Sequence, residues 1–167
     1  ESEFDTTDLS TLIDYAMWSS EPLPFDPMEK TLHHVYMQTQ KTDERTNYKM
    51  IHEYPLAGKP PMMTHIFENA NKQRIIAAKG APEAIINVSV LSEGEKENIL
   101  NVIHDFGNKG YRVLGVAQSN FKGYNFPEKQ QELKFTFLGL VVFYDPPKQG
   151  IQTVFQHIYD AGIKVKV

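Results

Sequence analysis

The stretch YKMIHEYPLAGKPPMMTHIFENANKQRIIAAK, residues 48–79, decides the fold. It contains three segments rich in β-forming residues, 48–56, 62–69 and 73–79, which the sequences AGKPP and NANK separate. Short strands joined by short connections pair with their chain neighbours, so these segments predict an antiparallel meander. The adjacent prolines in AGKPP predict a loop or a bulged edge at residues 57–61, because proline cannot donate to a sheet ladder.

Helical patterns surround this stretch. Apolar residues recur at helical spacing from Asp8 to Trp18, and FDPMEKTLHHVYMQ opens with a potential cap at Asp26. The segment SEGEKENILNVIHDFGNKG opens with a capping-box pattern formed by Ser92 and Glu95. Two further strands are expected in YRVLGVAQSNF and LKFTFLGLVVFYD. Within the second, FTFLGLVVFYD forms a continuous apolar run, which is typical of a strand buried on both faces. A polar connector at 120–133, with room for a short helix, joins them.

The last residues follow a different pattern. The connector DPPKQ leads to an amphipathic helix in QGIQTVFQHIYDAG and then to the alternating run IKVKV. Strand, helix and strand in this order predict a parallel, right-handed βαβ unit. We therefore expect one domain over residues 1–144 and the truncated start of an α/β domain over residues 145–167. The chain opens without methionine and closes on an unfinished strand pattern, so we expect it to be a piece of a longer protein.

The composition and the absence of several motifs exclude some classes of function. The chain has 167 residues and a net charge of −4, so it carries no basic field that would favour nucleic acid. It has no cysteine, which excludes disulfides and thiolate chemistry. The motifs GxxxxGK[ST], GxGxxG and GxSxG are absent, and the six histidines lack the spacing of a zinc pair. Neither catalytic residues nor a metal site are predicted, and we expect a soluble, cytoplasmic domain.

The sequence KGAPE at 79–83 is the one motif that points to chemistry. Lys79 ends an apolar run, so we expect its stem to be half buried and its ammonium exposed. Gly80 removes a side chain where another group could approach the backbone, and Pro82 suits the first turn of a helix. A lysine beside a helix N-terminus forms a plausible anion or nucleotide site. An ordinary strand-to-helix turn with a solvated lysine is the alternative, and the residue pattern alone favours it.

Several motifs together resemble one family. KGAPEAII resembles the signature of the nucleotide-binding domain of P-type cation-transporting ATPases. In order along the chain, the other matching segments are FDPMEKTL, EYPLAGKPPMMTHIF, GYRVLGVA, FLGLVVFYDPPKQG and AGIKVKV. The resemblance implies an α+β fold, with a twisted antiparallel sheet flanked by helices. It also implies that the chain ends in the start of an α/β, haloacid-dehalogenase-like phosphorylation domain.

The resemblance also implies a function. By likeness to the calcium-type branch and its bacterial relatives, the chain would be the cytoplasmic ATP-binding domain of a cation pump in the plasma (inner) membrane. It would hold ATP, with Mg²⁺ on the nucleotide, so that the γ-phosphate reaches an aspartate on the phosphorylation domain. That domain and the actuator domain would be its partners, and nucleic acid would not. The aspartate motif D-K-T-G-T is absent, so we expect the chain alone not to turn over.

Two other readings stay open. The chain could be a non-catalytic interaction module with the same fold that has lost nucleotide binding. A tyrosine replaces the usual phenylalanine, and the loop AGKPP has one lysine where the family often has a basic pair. A free-standing phosphatase of the haloacid-dehalogenase type is disfavoured because the chain has no D-x-D motif.

The resemblance assigns roles to individual residues. Tyr54 matches the aromatic on which the base stacks, and Glu29 matches the glutamate that faces the adenine amino group, although it also suits a helix cap. Lys79 matches the lysine lining the pocket, and Gly80 the glycine against the base. The remaining matches are Arg112, directed at the phosphates, Lys59, in a basic loop, and the hinge residues Asp145, Pro146 and Pro147.

Overall fold

Five strands form one antiparallel sheet, in which they lie side by side in chain order. The computed structural model describes residues 9–39, 42–144 and 150–166. Its strands are β1 (Tyr48–Ala57), β2 (Met62–Asn69), β3 (Arg74–Gly80), β4 (Arg112–Ser119) and β5 (Phe135–Phe143). Its helices are α1 (Leu9–Trp18), α2 (Pro27–Thr39), α3 (Pro82–Val88), α4 (Glu93–Asn108) and α5 (Ile151–Asp160). The predicted α+β class, with an antiparallel sheet flanked by helices, is confirmed.

The sheet is covered on both faces. On one face, which we call the α1/α2 face, Ala16 and Leu32 pack against Val116 and Val141. On the opposite face, which we call the α3 face, Ile85 packs with apolar residues of β1 to β5. Burial of these two apolar surfaces stabilises the sheet from both sides.

The connector at 120–133 is fastened to the α3 face. It contains a short 3₁₀ turn, Gln130–Glu132, at the place where the sequence left room for a helix. Gln130 is buried there, and its amide oxygen accepts a hydrogen bond from the Thr64 hydroxyl over 2.8 Å. Its amide nitrogen donates to the Met62 carbonyl over 2.9 Å. A buried amide with both ends satisfied holds the connector in one position.

The predicted helix starts are confirmed. Asp26 accepts hydrogen bonds from the backbone N–H groups of Met28 and Glu29, over 2.8 and 3.3 Å, and so caps α2. Ser92 and Glu95 form the reciprocal capping box at the start of α4. These bonds satisfy backbone donors that would otherwise lack partners in the first turn of each helix.

Of the two elements predicted near the C-terminus, the helix forms and, among the residues that the structure describes, the strand does not. Helix α5 forms, but residues 163–166 of the predicted strand IKVKV form no strand. A strand needs a neighbour for its hydrogen bonds, and within the described ranges none lies beside this segment. The predicted parallel unit is therefore not formed in the described part of the chain. The hinge residues Asp145, Pro146 and Pro147, and with them the domain boundary, lie outside the described residues.

Strand β5 also differs from its prediction. It is the edge strand beside β4, and its buried residues are Phe135, Leu138 and Val141, so it is not buried throughout on both faces. A register shift opposite the step from Val116 to Ala117 interrupts its alternation. None of the helices in the described ranges is long and apolar enough to span a lipid bilayer.

Candidate functional site

A cleft of about 330 Å³ opens on the α1/α2 face, where the start of α2 meets the sheet. Apolar side chains form most of its walls, and they are those of Phe25, Met28, Leu32, Leu56, Met63 and Leu114. Its polar residues are Glu21, Asp26, Glu29 and Lys79, and Gly80 also contributes to the lining. A concave, mainly apolar site with a few convergent polar groups is the usual form of a small-molecule site.

The polar side of the cleft contains a buried ion pair. The Lys79 ammonium donates to Glu29 Oε1 over 2.5 Å and to the Ser20 hydroxyl over 2.7 Å. The side chains of Lys79 and Glu29 are only 7% and 12% exposed. Burial lowers the pKa of Lys79, against the opposing effect of Glu29. The prediction of an exposed ammonium is therefore wrong, because the lysine has two partners inside the protein.

Local structure places both members of this pair. Lys79 pairs with Met63 of β2 and Val116 of β4, so it extends from the α1/α2 face, whereas its neighbour Ala78 faces α3. Glu29 lies in the first turn of α2, whose start is held by the Asp26 cap. The two side chains meet because α2 covers the sheet at the end of β3.

Ser20 closes the arrangement from the end of α1. The hydroxyls of Ser19 and Ser20 both donate to the Ala16 carbonyl, over 3.0 and 2.9 Å. Both serines are buried. Serine side chains that bond to the backbone of the preceding turn compete with helix continuation, which is consistent with the end of α1 at Trp18. The Ser20 hydroxyl thereby reaches Lys79.

Gly80 has a packing explanation. A Cβ atom at this position would lie 2.5 Å from the Pro61 carbonyl oxygen and 2.6 Å from the Met62 Cα. The Ala81 N–H donates to the same Pro61 carbonyl over 2.9 Å. The group that approaches Gly80 closely is therefore the backbone of the neighbouring strand. Gly80 also lines the cleft, so a contact with a ligand stays a prediction.

Tyr54 is not brought to the cleft. It is 7% exposed, belongs to the core of the α3 face, and donates its hydroxyl to the Pro127 carbonyl over 2.6 Å. A register shift between Tyr54 and Ala57 breaks the alternation of β1, and Leu56, two residues further on, lines the cleft instead. The geometry therefore gives no support to a stacking role for Tyr54.

The start of α3 is also separated from the Lys79 ammonium. Ala84 and Ile85 of this helix pack with Ala78 on the α3 face. Lys79 reaches Ser20 on the α1/α2 face. The combined anion site that the KGAPE motif predicted, made of the lysine and the helix N-terminus, is therefore not formed.

The other two predicted basic residues lie outside the cleft lining. Arg112 is exposed at the start of β4, and strand alternation puts it on the same face as Leu114, which lines the cleft. Lys59 is exposed in the β1–β2 turn, between Gly58, whose φ of 98° is left-handed, and Pro60. Arg112 thus extends from the face that carries the cleft but does not line it, and no described contact ties Lys59 to the cleft.

Sequence reasoning missed the apolar walls. Phe25 is 82% exposed and is the one aromatic ring among the described residues that line the cleft, and Leu56 is 62% exposed. Large apolar side chains that stay exposed beside a concavity indicate a contact surface. The available sequence signal was the position of Phe25, directly before the Asp26 cap, where an apolar residue often packs onto the helix.

The cleft can recognise a ligand but offers little for reacting with one. A carboxylate accepts from an amino group, an ammonium donates to a ring nitrogen or an oxygen, and the walls suit a flat apolar body. Three carboxylates, from Glu21, Asp26 and Glu29, outnumber the single ammonium of Lys79. A highly charged part of a ligand would therefore be favoured outside the cleft, towards Arg112.

Comparisons with known proteins identify a family and several relatives that the chain resembles. Residues 25–150 match the family model described as P-type ATPase, cytoplasmic domain N. A calcium-transporting ATPase of Bacillus subtilis is 29% identical over 130 residues, which cover 71% of this chain and 15% of that protein. A plasma membrane ATPase of Kluyveromyces lactis is 26% identical over 126 residues, which cover 73% of this chain and 13% of that protein. The chain thus matches about one seventh of the length of these relatives.

Proposed function

Because the chain belongs to the family of P-type ATPase cytoplasmic N domains, we propose that it is the ATP-binding domain of a P-type cation-transporting ATPase. The family predicted from the sequence motifs is confirmed by this membership. The observation that carries the proposal is the cleft itself. It joins apolar walls to the Glu29–Lys79 pair and lies within the region that matches the family.

The cleft suits the adenosine part of the nucleotide. The ring of Phe25 and the side chains of Leu56 and Leu114 offer apolar surface to the purine. Oε1 of Glu29 accepts from Lys79 and from the Glu21 N–H, and its Oε2 accepts no hydrogen bond from the described residues. That second oxygen is available to the exocyclic amino group of adenine. Lys79 uses two of its three protons on Glu29 and Ser20, which leaves one for a ring nitrogen or ribose oxygen.

The triphosphate belongs outside the cleft. Arg112 is exposed on the same face, and a guanidinium fork matches two phosphate oxygens. Lys59 is a second exposed cation near the start of β2 and stays a candidate contact. In this arrangement Tyr54 supports the sheet from the opposite side and does not touch the nucleotide.

The chain would contribute binding and orientation. Mg²⁺ enters with ATP as part of the substrate, and the γ-phosphate is presented to an aspartate on a separate phosphorylation domain. Phosphoryl transfer depends chiefly on positioning and charge stabilisation, so a domain without a nucleophile still has an essential part. The phosphorylation and actuator domains of the same protein would be its partners on the cytoplasmic side of the plasma (inner) membrane.

A titration with ATP tests the proposal. Amide resonances are followed by ¹H–¹⁵N NMR up to millimolar ATP, with the chain in excess Mg²⁺. We expect shifts around Phe25, Leu56, Lys79 and Arg112, and none around Gln130 on the α3 face. Shifts confined to the α3 face would refute the assigned site.

The interaction module remains the second candidate. Lys79 is already paired, and the cleft carries more carboxylates than cations, which disfavours a polyanion. If millimolar ATP shifts no amide resonance of the cleft residues, the interaction-module hypothesis replaces the proposal of ATP binding.

A further inference from the structure

A second group of ligating side chains lies beside the cleft. Glu21 follows α1, while Glu53 and His65 are paired residues of β1 and β2. One ligating atom from each of the three lies within 4.8 Å of the others. No role in nucleotide binding accounts for His65. No sequence motif joins these three residues, because the spacing between them is irregular.

The orientation of His65 carries the argument. Its side chain is fully buried, and Nδ1 lies 3.1 Å from the Ser20 carbonyl oxygen. A carbonyl can only accept, so Nδ1 carries the hydrogen and the neutral ring presents its lone pair at Nε2. Nε2 is the one buried side-chain nitrogen or oxygen atom without a hydrogen-bond partner among the described residues. A backbone carbonyl that holds one ring nitrogen is the usual support for a histidine that binds a metal through the other.

The neighbours of Nε2 have the wrong charge for a lone pair. Glu53 Oε1 lies 4.0 Å from Nε2, which is too far for a hydrogen bond, and the Glu21 carboxylate is the third member of the group. Burial lowers the pKa of His65, which favours the neutral ring. A buried lone pair that faces two carboxylates is unfavourable unless a cation lies between them.

We propose that Glu21, Glu53 and His65 bind one divalent cation of the borderline class, such as Zn²⁺ or Co²⁺. One imidazole and two carboxylates suit these ions, whereas Mg²⁺ prefers oxygen ligands alone. Tetrahedral metal–ligand bonds of about 2.0–2.2 Å place neighbouring ligand atoms about 3.3–3.6 Å apart, so the ligand atoms, now within 4.8 Å of one another, must close by up to about 1.5 Å. The Glu53 side chain is 41% exposed, which gives it freedom to move and gives the ion a path to the site.

The ligands of this ion are available whether or not the cleft takes ATP. The Lys79 ammonium near His65 has its own counter-charge in Glu29, so both carboxylates of the cluster are available to the ion. Water would supply the remaining ligand, as the partly exposed position of Glu53 allows.

Calorimetric titration of the chelator-treated chain with Zn²⁺ tests the site. We expect one ion per chain, and Glu53→Gln and Glu21→Gln should each weaken binding about tenfold or more. The matched controls are Glu97→Gln and His104→Gln on α4, which remove an exposed carboxylate and an exposed imidazole elsewhere and should leave the affinity unchanged. Both cluster variants change side chains that are not fully buried, so the fold should persist, which circular dichroism verifies.

A second readout examines His65 directly without replacing it. Long-range ¹H–¹⁵N spectra should show Nε2 unprotonated in the metal-free chain and shifted when Zn²⁺ is added. The proposal is overturned if binding is unchanged by Glu53→Gln, if His104→Gln removes it, or if Nε2 carries a proton in the metal-free chain at neutral pH.

Discussion

Replacement of Lys79 by alanine should destabilise the fold, because the ammonium is the buried partner of Glu29. The variant removes a charge that is 7% exposed and leaves a carboxylate that is 12% exposed. It also removes the donor to the Ser20 hydroxyl. The sequence alone predicted an exposed ammonium, for which this change would have been nearly neutral in stability.

The size of the effect follows from the burial of the pair. Removal of one member of a buried ion pair typically costs about 3–5 kcal/mol, since the other charge stays in a poorly solvated place. Water can approach Glu29 from the cleft, so we expect a value near the lower limit, about 3 kcal/mol. Glu29→Gln should cost less, because the amide oxygen can still accept from Lys79.

Urea unfolding, followed by circular dichroism, measures the change in the free energy of unfolding. Lys72→Ala is the matched control, because Lys72 also forms an ion pair, with Glu68 over 2.9 Å, but its side chain is 69% exposed. We expect little or no change in the free energy of unfolding for this control, because solvent screens an exposed ion pair. If Lys79→Ala lowers the stability no more than Lys72→Ala does, the buried pair described here is refuted.

Three further predictions concern other parts of the molecule. Phe25→Ala should weaken ATP binding by about 1–3 kcal/mol, the scale of base–aromatic stacking. It should not change the urea midpoint, because the ring is 82% exposed. Calorimetry with ATP measures the affinity, and an unchanged affinity would remove Phe25 from the site. Tyr54→Phe removes the hydrogen bond to Pro127 and should cost about 1 kcal/mol of stability in urea. Because phenylalanine keeps the ring, stacking is tested with Tyr54→Leu, which should leave ATP affinity unchanged; a loss of ATP affinity in that variant would restore the stacking role to Tyr54. Arg45 holds the pKa of Asp43 at about 2, below its ordinary value of 3.8, so this pair stabilises the fold at neutral pH, and its contribution disappears as the pH falls from about 4 to about 2. Because both side chains are about one third exposed, we expect about 1 kcal/mol from this pair, and Asp43→Asn should remove that part of the acid dependence in urea titrations.

The sequence predicted the elements of the fold well because their signals are local. The Asp26 cap and the Ser92–Glu95 box involve residues within one helical turn, and both form as expected. The β-rich segments pair with their chain neighbours, so the order of the strands required no long-range information. The strand expected in IKVKV was wrong because a strand depends on a neighbour as well as on its own pattern.

The site was less predictable because it depends on distant contacts and on one irregularity. Ser20, which accepts a hydrogen bond from Lys79, lies 59 residues before it in the chain. The two meet only because α1 ends above the sheet beside β3. A register shift after Tyr54 gives Tyr54 and Leu56 opposite sides of the sheet, whereas regular alternation would give them the same side. No sequence pattern in EYPLAGKPP specifies where within it the shift falls. The ATP-contact roles of Glu29, Lys79, Gly80, Arg112 and Lys59 stay predictions.

Ser20 serves two neighbours at once, since its carbonyl oxygen accepts from His65 and its hydroxyl accepts from Lys79. An ion at His65 and a nucleotide beside Lys79 would therefore both act on the same buried turn. Where a shared turn couples two sites, each ligand changes the affinity of the other by the same factor. Occupancy of the metal site would then be read out as a change in the affinity of the cleft for its ligand.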